Sequence, residues 1–497
     1  MAKTQYLTSP PKITTMPPGV PYIIGNEAAE RFSYYGMNSI LTIFMTKYLL
    51  DKMGHLSAMQ PANAEAWYHT FVTTLYFLPI FGAILADAVF GKFKVVLWLS
   101  IVYCGGHFTL ALMGSPVAHA IEPRYLLAIG LFMIAMGAGG IKPCVSTNVG
   151  DQFGESNKHL LTRVFNWFYF SINAGSALST LLIPWLLEPG SIWDWLKNML
   201  PASVSGFLVS PKLHSPDVAF GLPGIFMVIA TIFFWSGRKK FVHIPPVGLR
   251  PYTREIFNKE TGKILLNILM PVPFVAIFWA LWQQNFSSWI VQAESMDRHL
   301  FGVEWLSSQI QTVNPIFILI MLPLFSYWLY PFVEKFVPLT PLRKMGTGLF
   351  VTAASFFIVA VIQTRIDAGE HPNVIWQIWA FVVLTAGETL VSPTHLEFSY
   401  TQGPVKLKSL VMCTYLFAVS LGNLFTAAVN FFIQNPDGSL KLQGTSYFMF
   451  FVWVMLGTAV VFALVTPFYR GRTYLQDQTE VIGEAEPSVG FAVQPEA

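Results

Sequence analysis

Gly25-Asn-Glu-Ala-Ala-Glu-Arg-Phe-Ser-Tyr-Tyr-Gly-Met37 is the stretch whose reading decides the fold. It lies inside an apolar run from Tyr22 to about Leu50, long enough to cross a bilayer, yet it carries Glu27, Glu30 and Arg31. Helical spacing puts Glu27 beside Glu30 (i, i+3) and Arg31 (i, i+4), so three ionisable groups share one face, with Tyr34 one turn beyond Glu30. None of them can face lipid, where each costs about 2.5–3.5 kcal/mol at a helix centre on insertion scales. They face a wet cavity or a partner helix. Read alone, the group is either a structural ion pair near a helix end or a proton-binding cluster beside a transport path. One arginine offsets only one of two carboxylates, and the other needs a proton or a second cation, which favours the cluster.

The composition agrees with a membrane chain. Of 497 residues, 54% are hydrophobic, 15% aromatic and only 11% charged, against roughly a quarter charged in a soluble domain. A net charge of +3 is too small to imply a nucleic-acid partner. Cys104, Cys144 and Cys413 all fall in expected spans, so no disulfide framework is expected. The first twenty residues are polar, contain Pro10, Pro11, Pro17 and Pro18, and lack the apolar core of a cleavable signal, so the first span is expected to insert as it stands. Gln476–Ala497 is acidic with Pro487 and Pro495 and reads as disordered.

Twelve apolar runs can be placed, at about 22–50, 66–90, 94–114, 124–149, 162–188, 220–238, 263–293, 309–333, 345–364, 373–400, 407–434 and 446–469. Helices are the expected spanning element, because an open sheet edge cannot be satisfied in hydrocarbon. With the N-terminus inside, the inner segments hold twenty lysines and arginines and the outer segments seven, which predicts that both termini are cytoplasmic. The most basic inner loop, Gly237–Lys263, divides the chain. The expected organisation is a cytoplasmic tail over 1–21, a six-helix bundle over 22–238, a cytoplasmic linker over 239–262, a second six-helix bundle over 263–470 and a cytoplasmic tail over 471–497. Six plus six spans with a basic central loop favour a secondary transporter. The outer segment 189–219 shows no legible chemistry.

Three further stretches carry polar chemistry. Gly82-Ala-Ile-Leu-Ala-Asp87-Ala-Val-Phe-Gly91-Lys92-Phe-Lys94 places a carboxylate and two lysines in a tight inner turn, able to lock helix ends by charge. It resembles the inner loop of the major facilitator superfamily, which assigns Asp87 and Lys92 to gating. Gly137-Ala-Gly139-Gly140-Ile-Lys142-Pro143 permits close helix contact and removes a backbone donor, so Lys142 is expected on an irregular, locally polar segment. Lys142 could also simply snorkel, but the glycine–proline setting points to a cavity wall. Phe168-Tyr169-Phe-Ser-Ile-Asn173-Ala-Gly175-Ser176 offers an amide that is either interhelical glue or a ligand group.

Taken together, these stretches resemble the proton-dependent oligopeptide transporter (POT) family. The likeness continues through Phe278-Trp-Ala-Leu-Trp-Gln-Gln284, Asn314-Pro315 and Gly387-Glu-Thr-Leu-Val-Ser-Pro-Thr-His-Leu-Glu-Phe-Ser-Tyr400. Trp67-Tyr-His69-Thr-Phe and Leu396-Glu-Phe-Ser-Tyr400 look closest to the animal-type branch, whose large extracellular domain has no counterpart in the short Arg365–Pro372 connection. The resemblance implies an all-α membrane protein of the major facilitator fold and proton-coupled symport of di- and tripeptides by alternating access. It implies no enzyme activity, no resident metal or cofactor, and a multi-pass location in the plasma membrane.

The same resemblance implies residue roles. Glu27, Glu30 and Arg31 form the proton-coupling motif. Lys142 pairs with that cluster and helps hold the peptide carboxylate. Glu388 meets the peptide ammonium, with Asn173 and Asn314 beside it. Tyr34, Tyr35, Tyr76 and Tyr169 line the cavity, and Trp279 flanks a side-chain pocket. His69 matches a histidine linked to proton handling, although on pattern alone it reads as a packed or tyrosine-bonded histidine. His107 and His395 read as structural, and Glu397 has no assigned role.

Two departures from the family pattern stand out. Asn38 occupies a position where the family usually has arginine, and Gln283 one where it usually has an acid. Both changes neutralise, so local net charge is kept, and the expectation is that an Asn38–Gln283 amide contact replaces an ion pair across the halves. The other open readings are transport of another small solute (nitrate, an amino acid or a peptide-like metabolite) and a non-transporting peptide sensor. No nucleophile–base pair or metal spacing stands at a leaflet surface.

Overall fold

Eleven helical segments among the described residues have the length and hydropathy of a membrane span, from Pro61–Phe90 to Thr445–Phe468. The remaining span is the first, Val20–Ile43 with a π-helical continuation to Tyr48. Its charges lower its hydropathy but are turned inward, leaving Glu27, Glu30 and Arg31 only 3%, 1% and 8% exposed. The chain is seen in a computed structural model that describes residues 6–115, 117, 120–188, 199, 201, 215–402, 408–435 and 439–469. The expected disorder over 476–497 and most of the 189–219 segment lie outside the described residues.

Each of the twelve expected runs coincides with one span, its ends within about five residues. Several spans start where proline permits. Pro61, Pro123, Pro216 and Pro341 sit in the first turn of theirs, where the missing N–H would have lacked a partner anyway.

Within the first half, the third span packs on the fourth and sixth, and the first on the fifth and sixth. Within the second, the ninth packs on the tenth and twelfth, and the seventh on the eleventh. The halves meet mainly where the second span lies along the eleventh and the fifth along the eighth. This is the two-bundle arrangement of the major facilitator fold, with the first and seventh spans at its centre.

Small residues set the close approaches that position the polar groups. A Cβ on Gly82 would stand 2.5 Å from the Gly140 Cα, so the second and fourth spans touch backbone to backbone just before Lys142. A Cβ on Gly175 would stand 2.8 Å from the Ala28 carbonyl, which seats the fifth span against the turn that carries Glu27 and Arg31.

The expected irregularity at Lys142 is absent. Pro123–Gly150 is one continuous α-helix through Pro143, with Gly137, Gly139 and Gly140 packed closely against the second and third spans. The irregular geometry lies in the seventh span instead. There Val272–Trp282 gives way to a 3-10 turn, Gln283–Phe286, then to Ser287 at φ −131° and ψ −94°, before Ser288–Glu294 resumes the helix. The segment 239–262, expected as a plain linker, contains the helix Leu249–Ile256, and a second helix, Lys259–Leu269, leads into the seventh span. At the other end of the bundle, a two-residue hairpin (His299–Leu300 with Val303–Glu304) follows the seventh span. Its Asp297 accepts hydrogen bonds from Asn373 Nδ2 and from His299, and these donors pull its carboxyl down to about 2.

Candidate functional site

The first span presents two carboxylates to one guanidinium. Arg31 Nε lies 2.7 Å from Glu27 Oε1 and 2.8 Å from Glu30 Oε2. Only the Glu27 contact has hydrogen-bond geometry, and both Glu30 oxygens are buried without a hydrogen-bond partner among the described residues. Burying such a carboxylate ionised is costly unless a cation or a proton meets it.

Lys142 forms no direct ion pair with this cluster. Its Nζ lies over the Tyr34 ring at 4.5 Å and the Tyr76 ring at 5.4 Å, which solvate the ammonium through their π faces. Tyr34 packs edge-on against Tyr35 with centroids 5.1 Å apart. Tyr35 in turn lines a cavity of about 50 Å³ between the halves, together with Asn173, Trp282, Gln311, Asn314 and Glu388. Glu388 is on the wall of this cavity, whereas Lys142 stands behind it, separated from it by Tyr34 and Tyr35. That volume holds one or two waters.

Glu388 is held differently from the first-half acids. Trp282 Nε1 and Asn314 Nδ2 each donate to its Oε2 at 2.8 Å, and Asn314 Nδ2 also reaches Thr385 Oγ1 at 3.1 Å. Two neutral donors and no cation steady the carboxylate. Trp282, which no sequence pattern singled out, does this; Trp279 is set back against Trp282 and Tyr415, with centroids 5.2 and 5.8 Å away. Asn173 lines the chamber while its amide donates to the Tyr169 carbonyl at 2.9 Å. Tyr34, Tyr76 and Tyr169 stand back from the chamber wall.

The expected Asn38–Gln283 contact is not direct. Tyr68 stands between them: Asn38 Nδ2 donates to its hydroxyl at 3.2 Å, and the hydroxyl donates to Gln283 Oε1 at 3.3 Å. The phenol reaches what two short amides cannot. The next residue, His69, also bridges the halves. Asn423 Nδ2 is committed to the Val419 carbonyl, so Asn423 Oδ1 accepts from His69 Nδ1 at 2.7 Å, and Nε2 accepts from Ser287 Oγ at 3.0 Å. Thr42 Oγ1 donates to the Phe286 carbonyl and Thr312 Oγ1 to Thr180 Oγ1. Farther out, Lys47 pairs with Glu188 of its own half and Glu294 of the other. These cross-half contacts gather at the end of the bundle remote from the described N-terminal residues.

At the opposite end, Lys92 pairs with Asp151 at 2.6 Å rather than with Asp87. Asp87 makes no ion pair among the described residues, and its backbone carbonyl accepts from Val247 N. The turn therefore fastens the second–third connection to the end of the fourth span, within one half. His107 accepts or donates to Ser33 at 2.8 Å inside the first half, and Glu397 is exposed.

Known proteins share this frame. A family profile described as PTR2, POT family, matches residues 93–258 and 252–449. Peptide transporter 3 of Caenorhabditis elegans is 33% identical over 417 residues, 77% of this chain and 55% of that protein. Solute carrier family 15 member 2 of Homo sapiens is 33% identical over 393 residues, 71% of this chain and 49% of that protein. The chain spans about half the length of the curated relatives it matches. The crystal structure of the POT family transporter PepTSo superposes with a TM-score of 0.78 at 32% identity, covering 92% of this chain and 99% of that one. The profile match, the relatives and the structural superposition together make the chain a member of the POT family.

Proposed function

We propose that this chain is a proton-coupled symporter of di- and tripeptides that works by alternating access. The observation that carries the reading is the placement of a cation, Lys142, in one half behind Tyr34 and Tyr35, and of an anion, Glu388, in the other half on the wall of the chamber that Tyr35 lines. A zwitterionic peptide needs a cation for its carboxylate and an anion for its ammonium, and binding one draws the halves together. The protein names of the relatives and the family membership support the same substrate class.

The chamber is too small for a peptide, so the halves part to load it. In this reading the termini are cytoplasmic, the membrane is the plasma membrane, and the end holding Lys47, His69 and Gln283 is the outer gate, closed here. Asp87 and Lys92 belong to the inner gate, where the Lys92–Asp151 pair stiffens one half. Protons are the coupling ion. A proton on Glu30 leaves Arg31 to Glu27 alone and weakens the cluster's attraction for Lys142, which then takes the peptide carboxylate. Its drive is about 2.3 kcal/mol per charge per 100 mV plus about 1.4 kcal/mol per pH unit.

The test is uptake by proteoliposomes under an imposed inward proton gradient. Labelled dipeptide should accumulate, and unlabelled di- and tripeptides should compete, while free amino acids and nitrate should not. Peptide binding with no uptake would show a sensor instead.

A further inference from the structure

A larger cavity between the halves lies apart from the chamber that Glu388 lines. It has a volume of about 180 Å³, room for about six waters, and lies between the start of the second span and the seventh, eleventh and twelfth. Its wall includes Glu65, Ser288, Gln292, Gln363, Asn430 and Tyr447.

Glu65 is 6% exposed, and the contact that holds it is a hydrogen bond from Tyr447 OH to Oε2 at 3.1 Å, which crosses between the halves. No lysine or arginine lines the cavity. A carboxylate buried with a single neutral donor is a poor resting state for an anion. Asn430 is fully buried and lines the same cavity. Its Nδ2 donates to the Tyr447 hydroxyl at 3.2 Å, while its Oδ1 has no hydrogen-bond partner. Glu65 and Asn430 therefore meet at one phenol, and each leaves an oxygen unused. The neighbouring polar groups are already committed: Ser288 Oγ donates to Gln284, and Gln363 Oε1 accepts from Gln292. What the cavity offers at this corner is a carboxylate and a buried amide oxygen with no hydrogen-bond partner, a pair of acceptors that suits a compact cation with several N–H donors.

We infer that this cavity binds a small primary ammonium cation, with Glu65 neutralising its charge and Asn430 Oδ1 accepting one of its hydrogens. Because Glu65 belongs to one half and Asn430 and Tyr447 to the other, the bound cation ties the halves at this end of the bundle. The site is separate from the peptide chamber and uses none of its residues.

The experiment measures thermal unfolding of the full chain purified in detergent, in a Glu388→Gln background so that the central carboxylate takes no part. Ethylammonium chloride is compared with sodium chloride and tetramethylammonium chloride at equal ionic strength. Ethylammonium should give a saturable rise of roughly 2 °C that the other salts do not give. Adding Glu65→Gln, which keeps the Tyr447 hydrogen bond, should remove the rise. Asn430→Ala, which leaves the carboxylate in place, should raise the half-effective concentration about 3- to 10-fold. Equal shifts from all three salts, no shift at all, or a shift that survives both substitutions would overturn the assignment.

Discussion

Around the central chamber the two halves handle buried negative charge in opposite ways. In the first half, Glu27 and Glu30 are set against Arg31, with Lys142 nearby on its tyrosine rings, so acid and base stand in near balance. In the second half, Glu388 has no cation and is steadied by Trp282 and Asn314. A balanced cluster changes state when one proton arrives. An uncompensated carboxylate changes state when a cationic guest arrives. Under the proposed function, the difference gives proton coupling to the Glu27–Glu30–Arg31 cluster and the amino end of the substrate to Glu388.

The largest expected effect breaks the neutrality between the halves. Asn38 is fully buried, bonded to Tyr68, with no acid opposite. Asn38→Arg alone should cost about 3–5 kcal/mol, seen as a fall in thermal midpoint and in folded yield, because it strands a charge. Adding Gln283→Glu should recover most of that loss. Equal stability of the single and double variants would contradict a neutral bridge at this gate.

Glu388→Gln sharpens the contrast from the other side. It keeps the shape but removes the partner of the ammonium, so the apparent KM for dipeptides should rise about 10- to 100-fold. Peptides with an acetylated amino end should lose far less, which separates a lost charge pair from a damaged chamber. Trp282→Phe removes one of the two neutral donors to Glu388 and should raise KM about 3- to 10-fold, with little change in folding.

The smallest effect is expected at Lys47, which joins Glu188 and Glu294 in a half-exposed network. Lys47→Ala should change stability by about 1 kcal/mol or less and favour opening of that end. Thiol labelling of a cysteine placed behind the gate would read the shift, which should shrink as salt rises.

Periodicity and charge made much of this legible beforehand. The twelve spans follow from hydrocarbon-length runs, and Glu27, Glu30 and Arg31 follow from helical spacing inside one of them. The glycines before Lys142 announced close packing, which occurs at Gly82 and Gly140. What stayed hidden depends on how helices rotate against distant partners. Tyr68 inserts between Asn38 and Gln283, and Trp282 joins Asn314 as a donor to Glu388. Lys92 chooses Asp151, 59 residues away, over the nearby Asp87. Glu65 opens its span inconspicuously, and only the folded partners Tyr447 and Asn430, far along the chain, give it a setting. Local spacing carries no information on such pairings.

The most direct test of the central claim is paired transport by the Glu30→Gln variant in proteoliposomes, with accumulation under a proton gradient measured beside peptide counterflow without one. The account predicts that counterflow persists while gradient-driven accumulation falls to the equilibrium level. Accumulation that still follows the proton gradient in Glu30→Gln would contradict it.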